Sequence, residues 1–377
     1  MTLDSILSLQ DFENRARRLM PAALFGFVQG GAEDGLSVRG NRQALEAIRL
    51  QPRVLRDTSA RTTATSVWGE TWAAPFGIAP MGAAALMARD ADLVLARAAA
   101  RANIPFALSG SSLTPMERVI EANPRAWFQL YPSADPAPNR VLLQRAQAAG
   151  YRTLVVTVDV AVGGRREDDI RNGYTSPLRP SARLMLGFAS RPQWALRHLL
   201  PTLITRGMPH FENFSEGRAP MISRTATRGH RRDAFDWAHL QALRDLWPHR
   251  LVVKGILAPA DAAQAWAMGA DGVIVSNHGG RQLDGAIAPA DALLAMPARG
   301  AGQALFCDGG IRRGNDIIKT LGRGASLAWI GRPMLYAAVV GGQAGVERAI
   351  ALLQEEMLRS MALLGMQSPT EAHSVVL

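Results

Sequence analysis

Cysteine is almost absent from the sequence, which contains only Cys307. A single cysteine excludes an intramolecular disulfide framework and suits a reducing compartment, so we expect a cytoplasmic protein. The residues on either side of Cys307 have the pattern of a buried strand. Because free cysteine is most often a small core residue, we expect a packed thiol rather than a reactive one.

Long apolar runs are also missing. A membrane-spanning helix needs roughly 18 consecutive apolar residues, and no stretch of the sequence reaches that length. Residues 1–18 carry Asp4, Asp11 and Glu13 and contain no apolar run. We therefore expect neither a spanning segment nor a signal peptide.

Aromatic residues are few, at 6%, whereas Lys and Arg outnumber Asp and Glu by 42 to 32, which gives a formal net charge of +10. Such a charge favours attraction to nucleic acid, anionic lipid or an anionic substrate. The basic residues are not interleaved with stacking aromatics on a recognisable nucleic-acid module. We therefore predict no nucleic-acid binding.

Short apolar runs rich in branched residues recur along the chain and are separated by segments with helical spacing. This alternation predicts a parallel sheet covered on both faces, and eight runs within about 270 residues match a (β/α)8 TIM barrel. The alternative is a doubly wound open sheet, but residues 79–82 lack the Gly-x-Gly-x-x-Gly fingerprint at the first turn. The runs are residues 76–79, 104–108, 127–130, 154–158, 251–253, 273–275, 304–306 and 327–330.

The alternation is interrupted between the fourth and fifth predicted strands. Residues 232–247 have helical spacing, which leaves an insertion at about 163–231. A loop of this length inside a compact domain is usually functional or disordered. Residues before the barrel, which covers about 75–340, are expected to form an N-terminal helical cap. We predict a single domain over residues 1–377.

Polar or ionisable residues follow seven of the eight predicted strands. Because the active site of such a barrel lies at the carboxyl ends of the strands, we expect these side chains to meet at one face. They are Ser109, Gln129, Tyr131, Thr157, Asp159, Lys254, Ser276, His278, Arg281, Asp308, Arg312 and Arg332.

The richest segment is Ser-Asn-His-Gly-Gly-Arg-Gln-Leu-Asp at 276–284. A histidine can accept a proton near neutral pH, and an arginine can bind a carboxylate through two hydrogen bonds. The glycines allow the backbone to pass close to a ligand. Taken alone, the segment is equally compatible with a glycine turn that carries a surface histidine.

Two further features indicate a phosphorylated cofactor across the barrel mouth. Lys254 ends an apolar strand, where an ammonium group is costly unless an anion meets it. The glycine-rich segment 308–314 and Gly331-Arg332 follow the last two strands, where barrels commonly hold a phosphate.

These residues resemble the flavin-dependent 2-hydroxy acid oxidase and dehydrogenase family over residues from about 9 to about 368. The segment 276–284 is highly specific for that family, as are Gly-Gly-Ala-Glu-Asp at 30–34, Phe-Gln-Leu-Tyr at 128–131 and Thr-Val-Asp at 157–159. The segments 159–162, 207–209 and 243–249 resemble its mandelate dehydrogenase branch.

The resemblance implies an enzyme that uses FMN to oxidise an (S)-2-hydroxy acid, mandelate-like or lactate-like, and that passes electrons to a quinone-type acceptor. It implies a homo-oligomer, by likeness a tetramer. His278 would be the base, oriented by Asp159, while Arg166, Arg281 and Tyr131 would bind the substrate. The implied FMN-binding residues are Pro80, Met81, Gly82, Ser109, Gln129, Thr157, Lys254, Ser276, Asp308, Gly309, Gly310, Ile311, Arg312, Gly331 and Arg332.

The sequence departs from the family pattern at several positions. Phe27 replaces a usual tyrosine whose hydroxyl helps to bind the substrate carboxylate, and Met81 replaces a usual threonine. Ser111 and Gly163 are smaller than their glycolate oxidase counterparts, which favours aromatic or branched substrates unless neighbours fill the space. Gly82 stands where oxidases tend to carry alanine and dehydrogenases glycine, which predicts slow reaction with oxygen.

Other functions remain open at this point. An oxidase that uses oxygen, another FMN-binding barrel such as an isomerase, and a barrel that keeps FMN without turnover share parts of the pattern. The isomerase alternative does not explain His278 beside Arg281, together with Asp159 and Arg166.

The insertion also predicts docking on an anionic membrane surface at the inner face of the cell membrane. Apolar residues are interleaved there with arginines, as in an interfacial helix, and the matching insertion binds membranes in the mandelate dehydrogenase branch. A soluble active-site lid is the alternative. The basic residues are Arg179, Arg183, Arg191, Arg197, Arg206 and Arg218, against Glu212 and Glu216, and the apolar ones are Leu184, Met185, Leu186, Phe188, Trp194, Leu199, Leu200, Leu203 and Ile204.

Overall fold

A closed barrel of parallel strands forms the centre of the protein, whose computed structural model describes residues 3–223 and 232–377. The barrel strands are β3 (Phe76–Ile78), β4 (Ala107–Ser109), β5 (Trp127–Leu130), β6 (Thr153–Thr157), β9 (Arg250–Ile256), β10 (Gly272–Val275), β11 (Ala304–Asp308) and β12 (Leu327–Ile330). They are ordered β3-β12-β11-β10-β9-β6-β5-β4. A parallel bridge between Ile78 and Phe106 joins β3 to the β4 side and closes the ring.

All eight predicted runs overlap these strands, although their bounds differ by up to three residues, so the prediction of a (β/α)8 TIM barrel is confirmed and the doubly wound open sheet is wrong. Almost every strand residue is buried, because side chains on one face fill the barrel and those on the other meet the surrounding helices. Cys307, in β11, is buried as predicted, and burial raises the pKa of its thiol well above the ordinary value.

Helices cover the outside of the barrel. The helices are α4 (Ala84–Met87), α5 (Ala91–Arg101), α6 (Met116–Ala122), α7 (Pro136–Ala149), α12 (Trp237–Leu246), α13 (Pro259–Ala267), α14 (Pro289–Ala292), α15 (Gly314–Gly322) and α16 (Arg332–Leu364), with 3-10 turns at Leu293–Ala295 and Pro369–Ser374. Helix α16 bends at Gly342, where φ is +57°.

The predicted helix at 232–247 is too long at its amino end, because α12 begins at Trp237. Asp236 ends the preceding loop in an extended conformation, and its carboxylate accepts a hydrogen bond from the backbone N–H of His239 at 3.0 Å. This N-cap fixes the start of the helix.

The residues before the barrel form the predicted helical cap, together with a hairpin that the sequence did not indicate. The elements are a 3-10 turn (Leu3–Ser5), α1 (Leu9–Leu19), α2 (Ala22–Gln29), α3 (Leu36–Ala47), β1 (Thr65–Val67) and β2 (Glu70–Trp72). Trp68 and Gly69 connect the two strands with positive φ angles of 55° and 76°, as a two-residue hairpin turn of type I′ requires.

An aromatic cluster fills the barrel at the end nearest this hairpin. The ring centroids of Trp329 and Trp127 are 4.8 Å apart, and those of Trp127 and Trp68 are 5.5 Å apart. Phe306 packs edge-on against Trp68 and Trp127. The hairpin therefore closes the amino end of the barrel, and a ligand enters from the opposite end.

The chain between β6 and β9 leaves the barrel, as the predicted insertion requires. It contains α8 (Glu167–Arg171), α9 (Ala182–Ala189), α10 (Pro192–Trp194), a π-helical turn (Ala195–Leu199), α11 (Leu200–Arg206), β7 (His210–Phe211) and β8 (Ala219–Pro220). Residues 224–231 of the predicted insertion lie outside the described residues. Within 3–223 and 232–377, no helix is both long and apolar enough to cross a membrane.

Candidate active site

A cavity of about 610 Å³ opens at the carboxyl ends of the barrel strands. Its volume lies in the range typical of sites for small ligands and cofactors. One wall consists of strand ends, and the other consists of α2 and the insertion. The predicted site residues that line the cavity are Pro80, Met81, Gly82, Gln129, Tyr131, Thr157, Arg166, Lys254, His278, Arg281, Asp308, Gly309, Gly310, Ile311, Arg312, Gly331 and Arg332.

Ser109, Ser276 and Asp159 lie one layer behind this lining and are bonded to residues that belong to it. The Ser109 hydroxyl donates to Oε1 of Gln129 at 3.1 Å, and the Ser276 hydroxyl accepts from Nζ of Lys254 at 2.8 Å. The structure therefore brings all the predicted site residues together around one cavity.

An imidazole–carboxylate pair stands at one side of the cavity. Nδ1 of His278 lies 2.9 Å from Oδ1 of Asp159, and Nε2 is the other ring nitrogen. Burial alone would raise the pKa of Asp159, but His278 and Lys254 hold it below its usual value. Asp159 thus remains an anion that orients the imidazole and stabilises its protonated form.

His278 is held in a strained turn. Its φ is +57°, a conformation that non-glycine residues seldom adopt, and its backbone N–H donates to Ser276 Oγ at 3.0 Å. Such strain persists where the surrounding contacts fix it, which is common at functional sites.

A buried amide pair supports this turn. The side-chain amides of Asn41 and Asn277 exchange hydrogen bonds of 2.7 and 2.8 Å, and Oδ1 of Asn277 also accepts from the backbone N–H of Gly280 at 3.1 Å. Asn41 belongs to α3, so the N-terminal cap holds the turn that carries His278.

The motif at 30–34 has the same supporting role. The backbone N–H of Ala32 donates to the carbonyl of Gly280 at 2.9 Å, and the backbone N–H of Glu33 donates to the carbonyl of Arg165 at 2.8 Å. A Cβ added at Gly31 would lie 2.5 Å from Cγ2 of Val38 and 3.0 Å from the Gly280 carbonyl oxygen, so this close approach favours glycine.

Lys254 is a buried cation within β9, two residues before the carboxyl end of the strand. Its Nζ lies 3.2 Å from Oδ2 of Asp308, and 5% of the residue is exposed. Burial alone would lower the pKa of Lys254, but Asp308 and Asp159 raise it above the usual value. The cavity floor therefore carries a permanent positive charge.

Several buried polar atoms around this lysine have no hydrogen-bond partner among the residues that the structure describes. They are Gln129 Nε2, Thr157 Oγ1, Asp159 Oδ2 and Asp308 Oδ1. Buried polar groups are normally satisfied, so a set of donors and acceptors at adjacent strand ends indicates a bound polar group.

The loop after β11 and the start of α16 form an anion site. Gly309 and Gly310 adopt φ angles of +100° and +80°, and a Cβ at Gly310 would lie 2.6 Å from the Asn41 carbonyl oxygen. Burial lowers the pKa of Arg312, and burial together with Arg312 lowers the pKa of Arg332 to about 10. Two arginines beside a helix N-terminus suit a phosphate.

The Arg332 side chain also bonds to backbone carbonyls outside this loop. It donates to the carbonyls of Val28, Gly30 and Gly279 at 3.0, 3.2 and 2.8 Å. Arg332 therefore joins the barrel to the N-terminal cap.

Arg281 and Arg166 form a second cationic pair, on the wall that faces the insertion. Burial, then the charges of Arg166 and Arg332, lower the pKa of Arg281 to about 9. Asp169 lies 3.6 Å from Arg166 Nη1, and burial raises the pKa of this carboxylate despite the arginines. The wall is short of negative charge, which favours a carboxylate ligand.

Sequence reasoning missed several cavity residues, among them Tyr174 and Arg232, which both lie in the region between β6 and α12. The guanidinium of Arg232 lies 4.9 Å from the Tyr131 ring centroid. Both residues follow segments without strand–helix periodicity, so no sequence signal placed them at the barrel mouth. Within the described ranges, no cluster of His, Cys, Asp and Glu could hold a metal ion.

Comparison with solved structures finds the same architecture. A structure of the monotopic membrane protein (S)-mandelate dehydrogenase superposes with a TM-score of 0.87 at 34% identity, covering 99% of each chain. A mandelate oxidase structure with (S)-2-phenylpropionate has a TM-score of 0.81 at 33% identity, again covering 99% of each chain.

Comparison of sequences agrees. The chain is 37% identical to (S)-mandelate dehydrogenase of Pseudomonas putida, covering 96% of this chain and 91% of that protein. It is 39% identical to L-lactate dehydrogenase of Ectopseudomonas mendocina, covering 97% of each. The model of the FMN-dependent dehydrogenase family matches residues 16–377. The chain therefore belongs to the FMN-dependent dehydrogenase family.

Proposed function

We propose that this protein uses FMN to oxidise an (S)-2-hydroxy acid to the corresponding 2-oxo acid. The observation that carries the proposal is the meeting, in one cavity, of the His278–Asp159 pair with the arginines Arg166 and Arg281. The His278–Asp159 pair can accept a proton, and the two arginines can bind a carboxylate. Oxidation of a 2-hydroxy acid requires both a base and a site for the carboxylate.

The residues present fit FMN. The unpartnered atoms of Gln129, Thr157 and Asp308 suit the polar edge and hydroxylated chain of the cofactor. The glycine loop at 309–310, Arg312 and the start of α16 suit its phosphate. Lys254 supplies a buried positive charge that stabilises an anionic reduced ring. When bound, FMN supplies the acceptor for the two electrons that leave the substrate.

The protein side chains bind and deprotonate the substrate. Arg166 and Arg281 hold its carboxylate, and Tyr131, whose ring centroid lies 6.3 Å from that of His278, bonds the reacting hydroxyl. His278 accepts a substrate proton at Nε2, because Nδ1 is engaged by Asp159. The ionised Asp159 stabilises the imidazolium that results.

The cavity wall favours substrates with a sizeable side chain. Ser111 and Gly163 both line the cavity, and a Cβ at Gly163 would meet no atom within 4 Å. This space supports aromatic or branched hydroxy acids such as mandelate over glycolate. The names of the mandelate and lactate relatives support the same class.

Anaerobic titration tests the proposed function. Addition of (S)-mandelate or L-lactate to the FMN-loaded protein should bleach the flavin absorbance, whereas the (R) enantiomers serve as controls. If no 2-hydroxy acid bleaches the flavin, the chain performs another reaction of FMN-binding barrels, or none.

We further propose that a quinone, not oxygen, reoxidises the flavin. Gly82 lines the cavity directly after β3, and a Cβ at this position would lie 3.2 Å from Cβ of Ser111. Stopped-flow mixing of the reduced protein should show slow reoxidation in air and fast reoxidation by a soluble quinone. Reoxidation in air that keeps pace with turnover would identify an oxidase instead.

We also propose that the insertion docks the protein on an anionic membrane surface, on the cytoplasmic side of the membrane. A separate proposal, taken from the family resemblance, is that the protein is a homo-tetramer. Met185, Leu186, Leu196 and Ile204 are each more than 60% exposed, at 63%, 71%, 64% and 74%. Leu184 and Trp194 point into the protein instead. Exposed apolar side chains in an arginine-rich segment suit an interfacial helix, and one relative is described as monotopic.

Flotation with anionic liposomes tests the docking surface. The unmodified protein should float at low salt, and Leu186→Glu with Ile204→Glu should stay in the soluble fraction. Leu363→Glu, at an exposed leucine outside the insertion, is the matched control and should float. Replacement of the insertion by a short linker should also abolish flotation, and equal recovery of all forms in the soluble fraction would contradict membrane docking. Analytical ultracentrifugation of the purified protein measures its mass in solution and so tests the proposed tetramer.

A further inference from the structure

Two aromatic rings are stacked beside the arginine pair of the cavity. The ring centroids of Phe27 and Tyr174 are 4.2 Å apart, with an angle of 24° between the planes. Phe27 belongs to α2, and Tyr174 follows α8 in the insertion. Both line the cavity, so each side of the stack can reach a ligand there.

The stack faces the guanidinium groups that suit a carboxylate. Cζ of Arg281 lies 4.9 Å from the Phe27 ring centroid, and Cζ of Arg166 lies 5.7 Å from it. Phe27 has no polar atom on its ring, whereas Tyr174, which is stacked on it, carries a phenol hydroxyl. The aromatic hydroxyl on this wall therefore belongs to the insertion and not to α2.

Tyr174 is firmly positioned next to Arg166. Its backbone N–H donates to the carbonyl of Asp169 at 2.8 Å, and the carboxylate of Asp169 lies 3.6 Å from Nη1 of Arg166. Only 3% of Tyr174 is exposed. The short segment from Arg166 to Tyr174 thus presents a guanidinium and a phenol to the same wall.

We propose that Tyr174 is a substrate-binding residue whose phenol hydroxyl donates a hydrogen bond to the carboxylate held by Arg166 and Arg281. This hydroxyl replaces the one that a tyrosine at position 27 would carry. The ring of Phe27 packs against the Tyr174 ring and supports it. This assignment rests on the proposed function, because it requires a carboxylate substrate in the cavity.

Binding of benzoylformate to the oxidised, FMN-loaded protein tests the assignment without turnover. The dissociation constant is read from the change in flavin absorbance. Tyr174→Phe should weaken binding about tenfold, which corresponds to about 1.4 kcal/mol. Tyr151→Phe is the matched control, because Tyr151 is a buried tyrosine outside the cavity that donates to the Met116 carbonyl, and it should leave the constant unchanged.

A double variant then tests whether the two rings are interchangeable. Phe27→Tyr alone should change the dissociation constant little, and Phe27→Tyr with Tyr174→Phe should recover most of the tenfold loss. Such non-additivity is expected for residues in contact that serve one ligand. The double variant keeps one tyrosine and one phenylalanine in the stack, so the packing is preserved. It therefore still tests the assignment if the single variant loses FMN.

Two results would overturn the assignment. One is a Tyr174→Phe variant that binds benzoylformate as tightly as the Tyr151→Phe control does. The other is a double variant that remains at least tenfold weaker than the unmodified protein. As a further readout, the amide 2-hydroxy-2-phenylacetamide should lose less affinity than benzoylformate in Tyr174→Phe, because its neutral carbonyl oxygen accepts a weaker hydrogen bond than a carboxylate does.

The unmodified protein separates this inference from the proposed function. If it binds no benzoylformate and no 2-hydroxy acid bleaches its flavin, the proposed function is wrong and the role of Tyr174 falls with it. If it passes both tests and only the Tyr174 variants behave unexpectedly, the proposed function stands and the role of Tyr174 is wrong.

Discussion

At the scale of single residues, the site depends on a few ionisable groups whose charges are fixed by neighbours. Asp159 is held as an anion by His278 and Lys254, and Lys254 is held as a cation by Asp308 and Asp159. Because each charge has a buried partner, the imidazole of His278 lies in an electrostatic field that does not vary near neutral pH.

Removing the imidazole should stop the chemistry without removing the cofactor. In His278→Ala we expect the rate of flavin reduction by substrate to fall by a factor of about 10² to 10⁴. FMN content should be unchanged, since the cofactor contacts lie mainly on other strands. Anaerobic stopped-flow spectroscopy measures the rate, and His373→Ala, at an exposed histidine, is the control. Near-normal single-turnover reduction in His278→Ala would refute the role of the base.

For most site residues, their place in the site was predictable from the sequence because they follow apolar strands. Lys254, Asp308 and His278 lie at or near the carboxyl ends of strands, so the barrel geometry alone brings them to one face. Tyr174 and Arg232 were not predictable. They lie between β6 and α12, where the chain path depends on tertiary packing rather than on strand–helix periodicity.

At the scale of elements, the barrel strands were predictable because they are buried on both faces and read as continuous apolar runs. The β1–β2 hairpin was missed because each strand has only three residues, two polar followed by one apolar, which is too short to show a strand period. The start of α12 was misplaced because periodicity does not reveal a cap, and Asp236 ends the loop there.

The contact between α3 and the His278 turn gives a prediction at this scale. Asn41→Ala removes a buried amide and strands the polar atoms of Asn277, so the free energy of unfolding should fall by about 1–3 kcal/mol. Turnover should also fall, because Asn277 supports the strained turn. Thermal unfolding and steady-state rates measure both effects. Asn14→Ala, at an exposed site, should change neither, and an Asn41→Ala variant that matches it would refute the supporting role.

The first turn of α5 gives a second prediction, concerning pH. Burial raises the pKa of Asp92 to about 6, although hydrogen bonds from Ser112 and Thr114 oppose the shift. A raised pKa in the folded state favours the protonated form. The contribution of Asp92 to stability is therefore fully present below about pH 4 and is lost as the pH rises through about 6.

Asp92→Asn mimics the protonated carboxyl at every pH. Relative to the unmodified protein, we expect this variant to gain on the order of 2 to 3 kcal/mol at pH 8 and close to nothing at pH 4. Melting temperatures of the two proteins across this pH range check the expectation. A difference between them that does not vary with pH would show that Asp92 does not titrate.

At the scale of the whole molecule, the cavity gathers positive charge that the protein does not neutralise. Arg281, Arg312 and Arg332 are half-buried, and desolvation and neighbouring guanidinium groups lower the pKa values of Arg281 and Arg332. Binding of an anionic cofactor would relieve this repulsion and would supply partners for the unpartnered polar atoms at the strand ends.

Removal of FMN should therefore lower the melting temperature, and its return should restore it. At an FMN concentration of 100 times the dissociation constant, the gain in stability is about 2.7 kcal/mol. Riboflavin, which lacks the phosphate, should stabilise much less at the same concentration. Circular dichroism melting curves measure this, with Arg312→Ala as a variant in which the two flavins should differ less. Equal stabilisation of the unmodified protein by both flavins would contradict a phosphate site at the end of β11.

The aromatic cluster at the closed end of the barrel has an optical consequence. Trp329 lines the cavity, and Trp127 and Trp68 continue from it toward the hairpin at centroid distances of 4.8 and 5.5 Å. Oxidised flavin absorbs at wavelengths where indoles emit. A flavin bound in the cavity would therefore quench the fluorescence of these three rings by energy transfer. The part of the ultraviolet emission that comes from these three of the eight tryptophans would therefore fall as the cofactor binds, which reports binding without any label.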